Sequence, residues 1–136
     1  MKRMREIKFR AWDNVKSEMY YVGEEGNISF GLDSNGIVAY DITEGEEEFK
    51  VLHHLQYMQY TGLKDHNGKE IYEGDILKES VEHGDIITQV VFKDYSWKEK
   101  LISSPRNHLR DYFPFGHVNV TVIGNIYENK ELLEGE

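Results

Sequence analysis

A mainly-β fold is what this sequence predicts, and three observations predict it. Apolar and polar residues alternate with period two in short runs, as in Ile7, Phe9 and Ala11 against Glu6, Lys8, Arg10 and Trp12. Turn signals separate those runs at short intervals, among them Asn35-Gly36, Asn67-Gly68 and Gly74-Asp75. The runs themselves are rich in β-branched and aromatic residues, as in "IITQVVF" and "EMYYV". The strands sort into two lobes. An N-terminal antiparallel sheet extends to about Asp41, and a small barrel spans about Leu55 to Tyr127, which places the lobes at 1–50 and 51–136.

In chain order, "REIKFRAWD" is a half-buried strand that ends in the turn chemistry of Asp13-Asn14. "EMYYVG" is a second strand, "ISFGL" a third and "IVAYDI" a fourth, with a type I′ hairpin expected at Asn35-Gly36. The acidic "TEGEEE" is a loop. "FKVLHHLQYMQY" begins irregularly and becomes a strand near Leu55 to Tyr60. Asn67-Gly68 closes another hairpin, Gly74-Asp75 reverses the chain again, and "EHGD" joins "ILKESV" to "IITQVVF". The segment at about 94–116 has no clean period and holds both prolines, Pro105 and Pro114. It reads as a long irregular excursion with one short helical turn. "HVNVTVIGNIYEN" is a closing strand with Val118, Val120 and Val122 in alternation and a bulge at Gly124. "ENKELLEGE" forms a frayed helical turn.

The 136 residues carry a net charge of −9, a mean hydropathy of −0.64 and 12% aromatic residues. The aromatic content argues against disorder. No run approaches the roughly 20 apolar residues of a membrane helix. The basic start "MKRMREIKFRAW" lacks the apolar core of a signal peptide, so the expectation is a cytoplasmic protein without membrane attachment. Cysteine is absent, which removes disulfides, thiol nucleophiles and thiolate metal sites. An acidic chain is repelled by phosphate backbones. The cations Lys2, Arg3, Arg5, Lys8 and Arg10 nevertheless crowd the first strand, while Glu44, Glu46, Glu47 and Glu48 gather in one loop.

Three blocks of sequence stand out: "REIKFRAWD" at 5–13, "MQYTGLKDHNGKEIYEGDIL" at 58–77 and "IGNIYENKELL" at 123–133. Together they resemble the YopX family, small proteins encoded by phages and prophages of Gram-positive bacteria. The likeness spans the start, middle and end of the chain. Lys130 stands where the family usually has proline, so the tail leaves the last strand less sharply. The resemblance implies a mainly-β fold with an SH3-like barrel. It brings no established activity, catalytic residue or cofactor.

Within the middle block, Asp65, Asn67, Gly68, Gly74 and Asp75 all suit turn geometry, and Ile71, Ile76 and Leu77 suit a core. The six histidines, His53, His54, His66, His83, His108 and His117, show no zinc-binding spacing. A site built from His66, Asp65, Asp75 and Asp85 has no spacing rule behind it. No serine sits in a nucleophile elbow, and no glycine turn matches a nucleotide fingerprint. No catalytic residue, metal ligand or cofactor is therefore assigned. The candidate interaction surface is Arg10, Trp12, Tyr57, Gln59, Tyr60, Lys69, Trp97 and Phe115. It combines arginine and aromatic side chains, which dominate interface energetics. Trp97 and Phe115 belong to an aromatic group with Tyr95, Tyr112 and Phe113, which reads as a mini-core or a patch that a partner covers.

These features favour a non-enzymatic interaction module that binds a protein partner or itself. The alternative is a nucleic-acid-binding module using the basic first strand and the barrel face. A metal-dependent hydrolase or nuclease ranks third.

Overall fold

The computed structural model describes residues 6–43, 45, 48–105, 110–116 and 119–134. Among these the chain is mainly β, built of antiparallel sheets, with one 3₁₀ turn at Lys130–Leu133. It divides into two compact units, Lys8–Met58 and a unit containing Gln59–Glu136.

The N-terminal unit begins with β1 (Phe9–Asp13) and β2 (Glu18–Tyr21), which pair from Arg10↔Tyr21 to Asp13↔Glu18. A second group comprises β3 (Ile28–Asp33), β4 (Gly36–Asp41) and β5 (Lys50–Val51), in that spatial order. Alternation along β3 and β4 turns Ile28, Phe30 and Ala39 to one side. There they meet Ala11, Tyr20, Leu52 and Leu55 in a small core. β6 (Gln56–Lys64) starts in this unit and ends in the next.

The C-terminal unit continues with β7 (Glu70–Tyr72), paired to β6, and then β8 (Asp75–Val81), β9 (Gly84–Lys93), β10 (Ser96–Ser103), β11 (Tyr112–Pro114) and β12 (Thr121–Asn125). The last five form one sheet in the order β11-β10-β9-β8-β12. Ile71, Leu77, Val90 and Val120 are fully buried at its core, with Trp97, Phe115 and Val122 packed against them. β12 pairs with β8 through a register shift between Val122 and Gly124, the bulge expected from the glycine.

Three expectations need correction. The Asn35-Gly36 hairpin forms, but not as a type I′ turn. Its two loop residues are Ser34 and Asn35, and the positive φ, 119°, belongs to Gly36 at the start of β4. The Asp33 carboxylate accepts the Asn35 N–H at 2.7 Å, and this side-chain turn sets the loop. The irregular excursion at 94–116 is largely ordered, since β10 runs through Ser96–Ser103 and is an interior strand of the five-stranded sheet. Its signal was hidden because the turn before it, Asp94-Tyr95, contains no glycine. The unit boundary falls after Met58 rather than after residue 50, because β5 pairs with β4 and Leu52 and Leu55 fill the N-terminal core.

Candidate functional site

Asp13 is the carboxylate of the N-terminal unit with the most hydrogen bonds among the described residues. It closes β1 with its side chain buried, and its Oδ1 accepts the N–H groups of Val15 and Lys16 at 2.9 and 3.1 Å. These bonds hold the loop that returns the chain to β2. The same oxygen lies 2.8 Å from His54 Nε2, and Oδ2 accepts the Tyr20 hydroxyl at 2.7 Å. Burial pushes the Asp13 carboxyl up, but hydrogen bonds from Tyr20, Lys16, His54 and Val15 outweigh it, and its pKa falls to about 2. Burial, followed by the bond to Asp13, drives the Tyr20 phenol well above its usual value. Tyr20 thus stays a donor and Asp13 stays ionised. An ionised carboxylate only accepts, so in neutral His54 the hydrogen sits on Nε2 and the lone pair on Nδ1.

This centre opens into a cavity of about 200 Å³ that lies wholly within the N-terminal unit. Glu18, Glu25 and Asp41 add carboxylates to its wall, and Lys16 adds one cation. The Asp41 carboxyl is lowered by its hydrogen bonds from the Thr43 hydroxyl and N–H, with a smaller contribution from nearby lysines.

In the C-terminal unit the chemistry-bearing side chains hold turns. Asp65 accepts the N–H groups of Asn67, Lys69 and Val122 at 2.8, 2.9 and 2.9 Å. Gly68, at φ 84°, takes the left-handed position that follows this turn. Asp75 accepts the Tyr72 N–H at 2.8 Å. Asn125 Oδ1 accepts from Tyr127 and Glu128, and Asn129 Oδ1 in turn accepts the Asn125 N–H. The segments that hold these residues, with the strand ending at Asp13, are the distinctive blocks of the sequence. The family model described as YopX protein matches residues 8–134.

The chain belongs to the YopX family. It is similar to protein EF1440 from Enterococcus faecalis, at 28% identity over 96% of this chain and 100% of that one, with a TM-score of 0.61. It is likewise similar to protein YopX from Bacillus subtilis, at 25% identity over 93% and 98% of the two chains, with a TM-score of 0.62. No curated protein matches the chain.

In this YopX-family chain, the residues singled out from the sequence do not share one exposed face. Arg10 is 2% exposed, and Trp12 and Tyr60 are also buried. Alternation assigns side chains to opposite faces of a strand, but it does not reveal that both faces are covered, as they are along most of β1. The Tyr60 ring lies 5.5 Å from that of Tyr72. Tyr57 is half-buried, edge-on to Phe30 at 6.4 Å, and its hydroxyl has no hydrogen-bond partner among the described residues. Gln59 is half-buried, with its backbone carbonyl accepting the Glu73 N–H. Lys69 is exposed. Trp97 and Phe115 each pack on the C-terminal core.

One pairing escaped sequence reasoning. Asp13 and His54 are 41 residues apart and carry no motif. At the tip of the β9–β10 hairpin, Tyr95 is 99% exposed and Phe92 54% exposed, with the Phe92 ring 5.1 Å from Trp97 and edge-on to it. Among the described residues no group of three His, Cys, Asp or Glu side chains is placed to hold a metal ion. Asp65 and Asp75 are occupied by backbone N–H groups, and Asp85 accepts the Ser80 hydroxyl. His108, His117, Val118 and the first-strand cations Lys2, Arg3 and Arg5 lie outside the described residues. No helix among the described residues is long and apolar enough to cross a membrane.

Proposed function

We propose that this chain is a non-enzymatic interaction module, encoded by a phage or prophage and acting in the bacterial cytoplasm. It binds a protein partner or a second copy of itself through the tip of the β9–β10 hairpin. The observation that carries the reading is Tyr95. Asp94 and Tyr95 sit at φ 53° and 65°, the type I′ geometry that asparagine and glycine usually supply. Keeping a bulky side chain there costs on the order of 1 kcal/mol. The fold gains no burial in return, since the ring is almost wholly in solvent. An exposed aromatic at a hairpin tip, on strands that also carry the Phe92–Trp97 ring pair, is the kind of side chain that carries interface energy once a partner buries it. The absence of cysteine fits a reducing compartment.

The nucleic-acid reading loses ground on two counts. The net charge is −9, and Arg10 is buried rather than facing a phosphate backbone.

Replacing Tyr95 by glycine tests the proposal, because it removes the ring and relaxes the turn. The tagged protein and Tyr95→Gly are used to capture material from host cells, with and without nuclease, and sedimentation reports self-association. The expected result is a stoichiometric protein, or a dimer, that survives nuclease and is absent with Tyr95→Gly at undiminished Tm. Retention of the partner by Tyr95→Gly, or recovery only of nuclease-sensitive nucleic acid, overturns the reading.

A further inference from the structure

We infer that Asn35 is a site of spontaneous covalent modification, the conversion of its side-chain amide to an acid, and that the fold protects the chain's other Asn-Gly pair from the same reaction. The chain has two such pairs, Asn35-Gly36 and Asn67-Gly68. Asparagine is among the chemically labile residues, and a following glycine puts no side chain in the way of ring closure. In the reaction the Gly36 main-chain nitrogen gives its proton to hydroxide and attacks Cγ of Asn35. The Cγ–Nδ2 bond breaks, ammonia leaves, and a cyclic imide remains. Water then opens the ring. Cleavage between the Gly36 nitrogen and Cγ yields aspartate. Cleavage between that nitrogen and the Asn35 carbonyl carbon yields isoaspartate, with the main chain running through Cγ. The net change consumes water and releases ammonia, and nothing is oxidised or reduced.

Exposure does not separate the two pairs, since Asn35 and Asn67 both face solvent and a Cβ at Gly36 or Gly68 would meet nothing within 4 Å. Backbone freedom separates them. Ring closure requires the main chain around the asparagine to rotate until the next nitrogen reaches Cγ. At 65–69 that rotation is blocked. The Gly68 N–H, the attacking group, is given to the Asp65 carbonyl at 3.0 Å, and the buried Asp65 carboxylate holds the N–H groups on either side, of Asn67 and Lys69. The turn is also tied to the end of the chain, through Val122 N–H to Asp65 at 2.9 Å and His66 N–H to the Val120 carbonyl at 2.9 Å. At the Asn35 tip the side-chain tie is local, since the Asn35 N–H is held by Asp33, itself exposed, at 2.7 Å. β3 is an edge strand, and Leu32 beside the tip is 81% exposed. Such a hairpin end opens without disturbing a core.

Position decides the consequence. Ser34 and Asn35 are the two loop residues between the paired Asp33 and Gly36. Isoaspartate adds a main-chain carbon to that loop, and loop length sets the register of the strands it joins. Those strands carry Ile28, Phe30 and Ala39 into the N-terminal core. Either product also sets a new carboxylate close to Asp33 in the chain. Conversion at Asn35 therefore loosens the β3–β4 hairpin from its tip. The inference is independent of the β9–β10 tip and of any partner.

The test is incubation of the full chain in mildly alkaline buffer, folded and in urea, with the gain in mass located by fragment-ion mass spectrometry. Urea frees both pairs and gives each its own reference rate. In the folded chain Asn35 is expected to convert within about threefold of its reference, and Asn67 at least about tenfold below its own, because Asn67 must await opening of the Asp65 turn. After conversion, amide hydrogen exchange is expected to quicken along β3 and β4 and to stay unchanged along β8 and β9. Asn35→Gln, whose longer side chain closes the ring poorly, is expected to lose both the mass gain at that position and the faster exchange. Suppression of Asn35 in the folded chain as strong as that of Asn67, conversion of folded Asn67 at its reference rate, or unchanged exchange along β3 and β4 after conversion each overturns the inference.

Discussion

Two turns of the C-terminal unit use their side chains in opposite ways. At 65–69, Asp65 points inward and holds three backbone N–H groups, one of them on the distant β12 strand. At 94–95, Tyr95 points into solvent, and the Asp94 carboxylate reaches Lys98, at 3.5 Å. The first turn is fixed by its side chains, and the second is held in a costly backbone conformation that glycine would adopt more easily. The difference separates a side chain that holds the fold from one that the fold leaves in solvent. Asp65, Asp75, Asn125 and Asn129 in the distinctive blocks hold turns, whereas the almost wholly exposed ring of Tyr95 lies outside those blocks.

The largest expected effect breaks the pinned turn. Asp65→Ala strands three backbone donors and is expected to lose about 3 kcal/mol in urea unfolding. A loss below about 1 kcal/mol would mean that water replaces these bonds and that the contrast between the turns is overstated.

Acid sharpens the comparison in the other unit. The Asp13 pKa is depressed to about 2 in the folded chain. Its stabilisation is therefore complete above the unfolded value near 4 and is lost as pH falls from about 4 to 2. Asp13→Asn is expected to cost about 2 kcal/mol at neutral pH and to show a shallower loss through that window. Parallel acid profiles of the two proteins would remove Asp13 as the cause.

Gly124→Ala probes the third block. A Cβ there would lie 2.5 Å from Asn129 Oδ1 and 2.9 Å from its Cβ, so Asn129 must move and release the Asn125 N–H. The expected loss is about 1–2 kcal/mol, and a Tm equal to wild type would show that this cap is dispensable. The smallest effect, and the opposite in sign, belongs to Tyr95→Gly. Relief of the turn is expected to stabilise by up to about 1 kcal/mol. A fall in Tm would show that the Tyr95 ring supports the fold after all.

Much of the fold was legible because its rules are local. Period-two alternation marked the strands, and Asp65, Asn67 and Gly68 announced their hairpin through residues that can do few other things at that spacing. β10 was hidden for an equally local reason, since Asp94-Tyr95 adopts the hairpin geometry without the residues that normally signal it. The fate of Arg10 and Trp12 was not local. A strand pattern says that two side chains share a face, but the neighbours that cover that face come from elsewhere in the chain.

The sequence by itself therefore determined the fold class, most of the turns and the family likeness, because backbone sterics and side-chain-to-backbone bonds act within a few residues. Only the tertiary structure decided which of those residues are accessible. It also brought His54 onto Asp13 across 41 positions, because burial and long-range pairing depend on which surfaces meet after the strands have formed.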